Sequence, residues 1–285
     1  MAGPVQLGSV LRSPVTRVRL RDHSSGSGQA TVSAEVVDDD IAVEEPLEIR
    51  IDGQSWSITM RTPGDDLDLV AGFLVGEGVI TEPGQLASIS HVAGALDSNT
   101  VNAVLGDGAT PPSDASARHS VMTSACGICG TESIDAIQKQ ARWSLEDDGT
   151  LVTPEVLAAL PDRLRAAQTL FDSTGGVHAA GLFTAAGDLL CLREDVGRHN
   201  AVDKVVGWAL RQGMLPLRGT VLQVSGRASF ELVQKARLAG IPMLAAVGAP
   251  SSLSRDLADS SGMTLIGFSR GAGFTAYTHP RRVAL

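Results

Sequence analysis

From Thr153 onward, short apolar runs alternate with amphipathic stretches, and this alternation constrains the fold more than any other feature of the chain. Val202, Val205, Val206, Ala209 and Leu210 fall at i, i+3, i+4, i+7 and i+8, the stripe of a helix with one buried face. Around it the runs 177–183, 189–192, 220–224, 243–247, 264–268 and 274–277 have the length and content of strands. Helices are expected over 229–238 and 253–260, and Thr153-Pro154 caps an earlier one that Pro161 should break or restart. The resulting order, α-β-β-α-β-α-β-α-β-β, predicts a mixed sheet with helices on its faces.

The first half reads differently. Residues 1–30 end in Ser24-Ser25-Gly26-Ser27-Gly28 and are expected to be a flexible tail with a short basic strand over 17–21. Alternating runs at 31–37, 47–51 and 55–61 predict strands, the last two joined by a tight turn at Asp52-Gly53. Thr62-Pro63-Gly64-Asp65-Asp66 then opens a helix with Leu69, Phe73 and Leu74 on its buried face. Residues 106–120, with two adjacent prolines and no apolar period, predict a long surface loop. Three units follow: a tail over 1–30, a β-rich domain over 31–150, and an α/β domain over 151–285. The small aromatic content (three Trp, one Tyr and six Phe) against 43% hydrophobic residues agrees with packed α/β layers.

Net charge is −9 and no Lys/Arg-dense stripe occurs, so nonspecific nucleic-acid binding is not expected. The start has no apolar core suited to a signal peptide, and no run of about 18 apolar residues suggests a membrane span. With three cysteines, no all-paired disulfide framework is possible, and a cytoplasmic protein with reduced thiols is expected.

Two of those cysteines stand together in Cys126-Gly127-Ile128-Cys129-Gly130. Their spacing suits a dithiol couple, half of a zinc site, or a nucleophilic thiol that carries a group. A helix expected to follow would place its N-terminal partial charge near the sulfurs and lower a thiol pKa. Zinc needs about four ligands at compact spacing, and His178, Cys191 and His199 lie far downstream, so no metal is expected. Cys191, in Leu189-Leu190-Cys191-Leu192, reads as a small core hydrophobe. The glycines of Gly72 to Gly78 lie in and after a helix, where they serve packing and termination rather than nucleotide binding.

Polar clusters fall where strands and helices meet: Thr174 to His178, Glu194 to Asn200, Ser225 to Ser229 and Phe268 to Gly273. In open α/β sheets such ends converge on a ligand crevice, where Arg198, Arg227 and Arg270 could grip phosphates. His178 and His199 are candidate acid/base or hydrogen-bonding groups of that crevice. Helix capping by Asp195, Asn200 and Ser225 is the competing use of the same residues.

Taken in order, these segments resemble the formate dehydrogenase accessory sulfurtransferases, the FdhD family. The resemblance runs from about Val32 to Arg281 through Arg61-Thr62-Pro63-Gly64, Gly72-Phe73-Leu74, Glu77-Gly78, the Cys126/Cys129 motif, Thr174 to Ala180, Glu194 to Lys204, Ser225 to Lys235, Gly267-Phe268 and Tyr277-Thr278-His279-Pro280. It implies a sulfurtransferase that takes sulfane sulfur from a cysteine desulfurase and passes it to the molybdenum bis(molybdopterin guanine dinucleotide) cofactor for formate dehydrogenase. It also implies a homodimer, and a C-terminal domain similar to cytidine deaminases. The deaminase zinc signature is absent, so deamination is not expected. In the family the first cysteine carries the persulfide, which corresponds to Cys126, with Cys129 beside it. The stretch Phe268, Ser269, Arg270, Gly271, Ala272, Gly273 corresponds to the part that meets the cofactor's nucleotide end. Some relatives place a lysine and a late arginine there; Arg270 supplies a charge from a shifted position. The competing readings are a cofactor chaperone that carries no sulfur and a zinc-stabilised binding module.

Overall fold

The structure, a computed structural model, describes residues 5–21, 31–92, 99–110, 121–122, 141–271 and 273–285. Cys126, Cys129, Ala272 and the helix expected to follow the cysteine motif lie outside the described residues.

The strand expected over 17–21 is the end of a longer one, and residues expected as tail contribute two strands in all. Val5–Leu7 (β1) and Val10–Arg21 (β2) join Thr31–Ala42 (β3) in a three-stranded sheet, order β1-β2-β3. Twelve consecutive residue pairs link β2 to β3. Alternating Val and Arg in β2 oppose Val and acidic residues in β3, and Arg12 pairs with Asp40 at 2.7 Å and Arg19 with Glu35 at 3.2 Å. These cross-strand pairs give the segment an order that its serine- and glycine-rich end conceals.

Glu45–Ile51 (β4) and Gln54–Arg61 (β5) form the expected hairpin. Asp52 and Gly53 both have positive φ, 49° and 81°, as a turn matching the strands' twist requires. Asp66–Gly76 (α1), Leu86–His91 (β6), Thr100–Leu105 (β7) and Val121–Met122 (β8) follow, completing a five-stranded sheet of order β6-β7-β4-β5-β8. Leu69, Phe73 and Leu74 are buried as expected, and so is nearly every other residue of α1.

The second half gives Pro154–Ala166 (α2), Thr169–Thr174 (α3), His178–Thr184 (β9), Leu189–Asp195 (β10), Arg198–Arg211 (α4), Thr220–Val224 (β11), Phe230–Leu238 (α5), Met243–Ala246 (β12), Ser252–Ser260 (α6), Thr264–Arg270 (β13) and Gly273–Thr278 (β14). The mixed α/β order is as expected, apart from one helix break. Pro161 lies inside α2, and the break falls after Ala166 instead. Six strands form a sheet of order β10-β9-β11-β12-β13-β14, with β11, β12 and β13 mutually parallel.

The central strands of this six-stranded sheet are buried on both faces, so they read as unbroken apolar runs. Ala180, Leu182, Leu222, Val224, Leu244, Ala246 and Leu265 face one way, into a cluster shared with α1, α4, α5 and Leu47 and Ile49 of the five-stranded sheet. Their neighbours Ala179, Phe183, Val221, Met243, Ala245 and Ile266 face the other way, against Leu157, Leu160 and Leu164 of α2. The β-rich and α/β halves therefore share one core. Its centre is the crossing of α1 and α4, where a Cβ on Gly72 would overlap the carbonyl of Asp203 and one on Gly207 that of Asp68. Residues 145–148 dock onto the second half: buried Arg282 donates to the carbonyls of Leu145, Asp148 and Gly262.

Candidate functional site

A crevice of about 640 Å³ opens where the C-terminal ends of β11, β12 and β13 meet the start of β9. Its lining includes His178, Val196, Ser225, Val247, Arg270 and Gly271 from strand ends, and Asp162, Arg165 and Gln168 from the end of α2 and the turn after it. Open α/β sheets place ligands at this edge, and the volume falls in the roughly 300–1,000 Å³ range of small-molecule pockets.

Backbone bonding brings the crevice loops side by side. Gly248 N–H donates to the carbonyl of Gly226 at 3.0 Å, and Phe268 N–H to that of Gly248 at 3.1 Å. A Cβ at Gly248 would stand 2.9 Å from Arg227 Cγ and 3.2 Å from its Cα, so glycine lets the two loops touch. The Ser225 hydroxyl accepts from Ala179 N–H at 2.9 Å, which ties β9 to the loop after β11 beside His178. Gly175 ends α3 at φ 64°, and Gly176 follows it into the crevice wall.

Of the residues expected at the site, His178, Arg270 and Gly271 line the crevice. The expected loop at Phe268 to Gly273 is a hairpin, with Arg270 opposite Gly273 across the turn between β13 and β14. Phe268 holds φ 52°, a conformation bulky side chains avoid, and is 42% exposed. The Arg270 guanidinium stands 5.8 Å from the centre of the Phe268 ring. Ser269 points into the protein, fully buried, and its hydroxyl has no hydrogen-bond partner. Arg227 is exposed on the loop after β11, and Arg198 is half-buried at the start of α4. Among the described residues none of Arg198, Arg227 and Arg270 forms an ion pair or a side-chain hydrogen bond, although the charge of Arg198 acts on Glu231.

Burial pushes the pKa of His178 down, and the positive charge of Arg198 adds to the effect, so the imidazole facing the crevice is neutral near pH 7. His199 does not line the crevice. Its Nε2 lies 2.5 Å from Glu231 and 3.4 Å from the Ser229 hydroxyl, and the ring is nearly buried. Burial opposes the charge on Glu231, yet the bond to His199 and the nearby cations hold its carboxyl below the usual range.

The cluster Glu194 to Asn200, expected at the ligand crevice, mostly ties the two halves together, with Lys204 beside it. Asp195 is fully buried and accepts from Thr62 N–H at 3.1 Å, Gly197 N–H at 2.8 Å and Asn200 Nδ2 at 2.9 Å. Lys204 Nζ, 1% exposed, lies 2.8 Å from Asp195 and donates to the Thr62 carbonyl at 2.9 Å. Asn200 also donates to the Met60 carbonyl at 2.7 Å, and Val196 N–H to the Thr62 hydroxyl at 3.1 Å. Glu194 accepts from Leu170 and Phe171 N–H groups at 2.8 and 2.9 Å, satisfying free donors at the start of α3. Arg61 next door is buried in a two-pronged bond to Asp66, at 2.9 and 3.0 Å. The acids of α1's first turn therefore serve arginines: Asp68 also pairs with Arg193 at 2.9 Å and Arg211 at 2.5 Å.

The crevice residues of α2 and α3 were not legible beforehand, because they enter through the chain's path and not through a motif. Cys191 is the core residue expected: it is buried, and burial pushes its thiol pKa up to about 12. Among the described residues no group of three or more His, Cys, Asp or Glu could hold a metal ion, and no helix is long and apolar enough to cross a membrane.

Known proteins agree with one another about this chain. The sequence profile of the FdhD/NarQ family matches residues 42–284. A protein of Streptomyces avermitilis named Sulfur carrier protein FdhD is 57% identical over 253 residues, covering 87% of this chain and 90% of that protein. Proteins of the same name from Nocardia farcinica and Sulfolobus acidocaldarius are 52% and 42% identical, over 86% and 87% of this chain and 88% and 92% of theirs. The crystal structure of a candidate formate dehydrogenase accessory protein from Desulfotalea psychrophila superposes with a TM-score of 0.72 at 23% identity, covering 95% of this chain and 99% of that one. That likeness shows the shared fold.

Proposed function

The chain belongs to the FdhD/NarQ family, and we propose that it works as a sulfur carrier, with Cys126 as the residue that bears the sulfur. The Cys126 thiolate attacks the terminal sulfur of a persulfide on a cysteine desulfurase. The donor's S–S bond breaks, its cysteine leaves as thiolate, and Cys126 becomes a persulfide with no net oxidation. The Cys129 thiolate then attacks the inner sulfur of the Cys126 persulfide, a Cys126–Cys129 disulfide forms, and the outer sulfur leaves as hydrosulfide for the molybdenum bis(molybdopterin guanine dinucleotide) cofactor, the substrate that formate dehydrogenase later receives. The alternative role of Cys129 is to tune its neighbour.

The observation that carries this reading is the crevice with Arg270 on its wall and Arg198 and Arg227 near it, none of them in an ion pair among the described residues. Guanidiniums outside any ion pair beside a cavity suit phosphate, and the volume suits one nucleotide end of a larger cofactor. His178 is neutral there and offers one donor and one acceptor to a base or ribose. The Cys191 thiol is buried and held protonated, so it competes poorly for sulfur, which leaves the Cys126/Cys129 pair as the reactive thiols.

Formate dehydrogenase activity in a host lacking its own accessory protein tests the reading. The wild-type chain and Cys191→Ala should restore activity, and Cys126→Ala should not. Restoration by Cys126→Ala would leave the cofactor-chaperone reading in its place.

A further inference from the structure

The side chain of Gln168 is buried at the crevice without a task inside the folded chain. Gln168 stands at the N-cap of α3, where a side chain commonly accepts from the first free N–H groups, yet the Glu194 carboxylate takes those of Leu170 and Phe171 at 2.8 and 2.9 Å. The backbone of Gln168 is fixed in the turn: its N–H donates to the Arg165 carbonyl and its own carbonyl accepts from Asp172 N–H, both at 3.2 Å. The residue is 3% exposed, and among the described residues its side-chain amide has no hydrogen-bond partner. The Oε1 atoms of Gln223 and Gln234 are unpartnered too, but they are sealed in, whereas the amide of Gln168 meets the open space of the crevice. A buried amide without a partner is costly to keep, and one held at a cavity wall is placed for a ligand.

The crevice runs along the sheet edge between unlike ends. Glu194 of β10 is paired with Ala179 of β9, so its bonds to α3 hold Gln168 at the β9 end. There His178 also has both ring nitrogens free of hydrogen bonds among the described residues. β11 and β12 stand between β9 and β13, and three steps of about 4.8 Å put Arg270 about 14 Å from that end. Of the two arginines in the lining, Arg165 is committed to Asp172 at 2.6 Å and packs on Phe171, whereas Arg270 is in no ion pair among the described residues. One end therefore offers neutral donors and acceptors, and the other offers a positive charge beside Gly271.

Resting on the reading of the crevice as the nucleotide site, we propose that Gln168 holds the base, and that the nucleotide lies along the sheet edge with its phosphates at the β13–β14 hairpin. The Gln168 carbonyl accepts from guanine N1–H, and its amide donates to guanine O6. Buried Leu164 and Val177 of the same lining keep water from these bonds.

Titration calorimetry on the full-length chain, with guanosine diphosphate and guanosine monophosphate as probes, tests the assignment. Gln168→Met keeps the length of the side chain and removes an unpaired polar group, so it should melt no lower than the wild type, yet it should bind guanosine diphosphate roughly tenfold more weakly or worse. The ratio of its affinities for the two probes should stay that of the wild type, because both carry the same base, and Arg270→Ala should shrink that ratio. In the double variant the two losses should multiply, as sites so far apart act independently. Guanosine diphosphate affinity in Gln168→Met within about twofold of the wild type, or a loss accompanied by a clearly lower melting temperature, would overturn the proposal and leave the nucleotide site standing. A ratio that changes in Gln168→Met and not in Arg270→Ala would overturn the orientation. A wild-type chain that binds no guanosine diphosphate would remove the nucleotide site and the proposal together.

Discussion

Removing the ammonium of Lys204 is the sharpest probe of how the two halves are joined. Lys204→Met keeps the apolar stem but leaves Asp195 fully buried without its counter-charge, which now stands at 2.8 Å. Breaking one side of a buried ion pair costs about 3–5 kcal/mol. Three donors remain on Asp195, from Thr62, Gly197 and Asn200, so the lower end, about 3 kcal/mol, is the expected loss. At roughly 2–4 °C per kcal/mol for a chain of this size, the melting temperature should fall by about 6–12 °C. Asp195→Asn strands the ammonium instead, against the carbonyls of Thr62 and Glu194, and should cost a similar amount. Because neither charge remains in the double variant, it should lose clearly less than the sum of the two. Thermal unfolding followed by circular dichroism, with urea midpoints for the same four proteins, reads all of these values. Single losses under about 1 kcal/mol, or strict additivity, would refute the claim that this pair holds the halves together.

Other outcomes follow from the same structure. Gly72→Ala drives a methyl into the Asp203 carbonyl where α1 crosses α4; overpacking costs about 1–3 kcal/mol or more, and soluble yield and melting temperature should both drop. Burial and Arg198 depress the folded pKa of His178, with His199 adding to the effect and Asp195 opposing it, so below the ordinary value near 6.5 the unfolded chain binds more protons. Stability should therefore fall as pH drops through about 6.5, and His178→Gln should flatten that fall in urea titrations at pH 5 to 7. The buried Cys191 thiol should resist alkylation until the chain is unfolded, and Cys191→Ala should load sulfur like the wild type.

What the sequence disclosed depended on range. The stripe Val202 to Leu210 and the Asp52-Gly53 turn are local patterns, and both stand where expected. Pro161 misled because one proline in a helix loses one hydrogen bond, and the burial of Leu157, Leu160 and Leu164 offsets that loss. Of the strands in residues 5–21 only the end at 17–21 was legible, because their partner, β3, lies beyond a polar stretch that reads as tail. Asp195 and Asn200 read as caps or ligand groups, and Lys204 drew no reading of its own, because their partners Met60 and Thr62 lie more than a hundred residues away. Nothing in a local window encodes such a contact. The crevice itself was half legible: strand ends announced His178 and Arg270, whereas Asp162, Arg165 and Gln168 arrive there only through the packing of α2 and the turn that follows it.

The central claim concerns one sulfur atom on one residue. After incubation with a cysteine desulfurase and cysteine, followed by desalting and alkylation, peptide mass spectrometry should find one added sulfur on Cys126, with none on Cys191. Cys126→Ala should carry none on either remaining cysteine. Sulfur on Cys126→Ala equal to that on the wild type, or no labile sulfur on the wild type at all, would contradict the account.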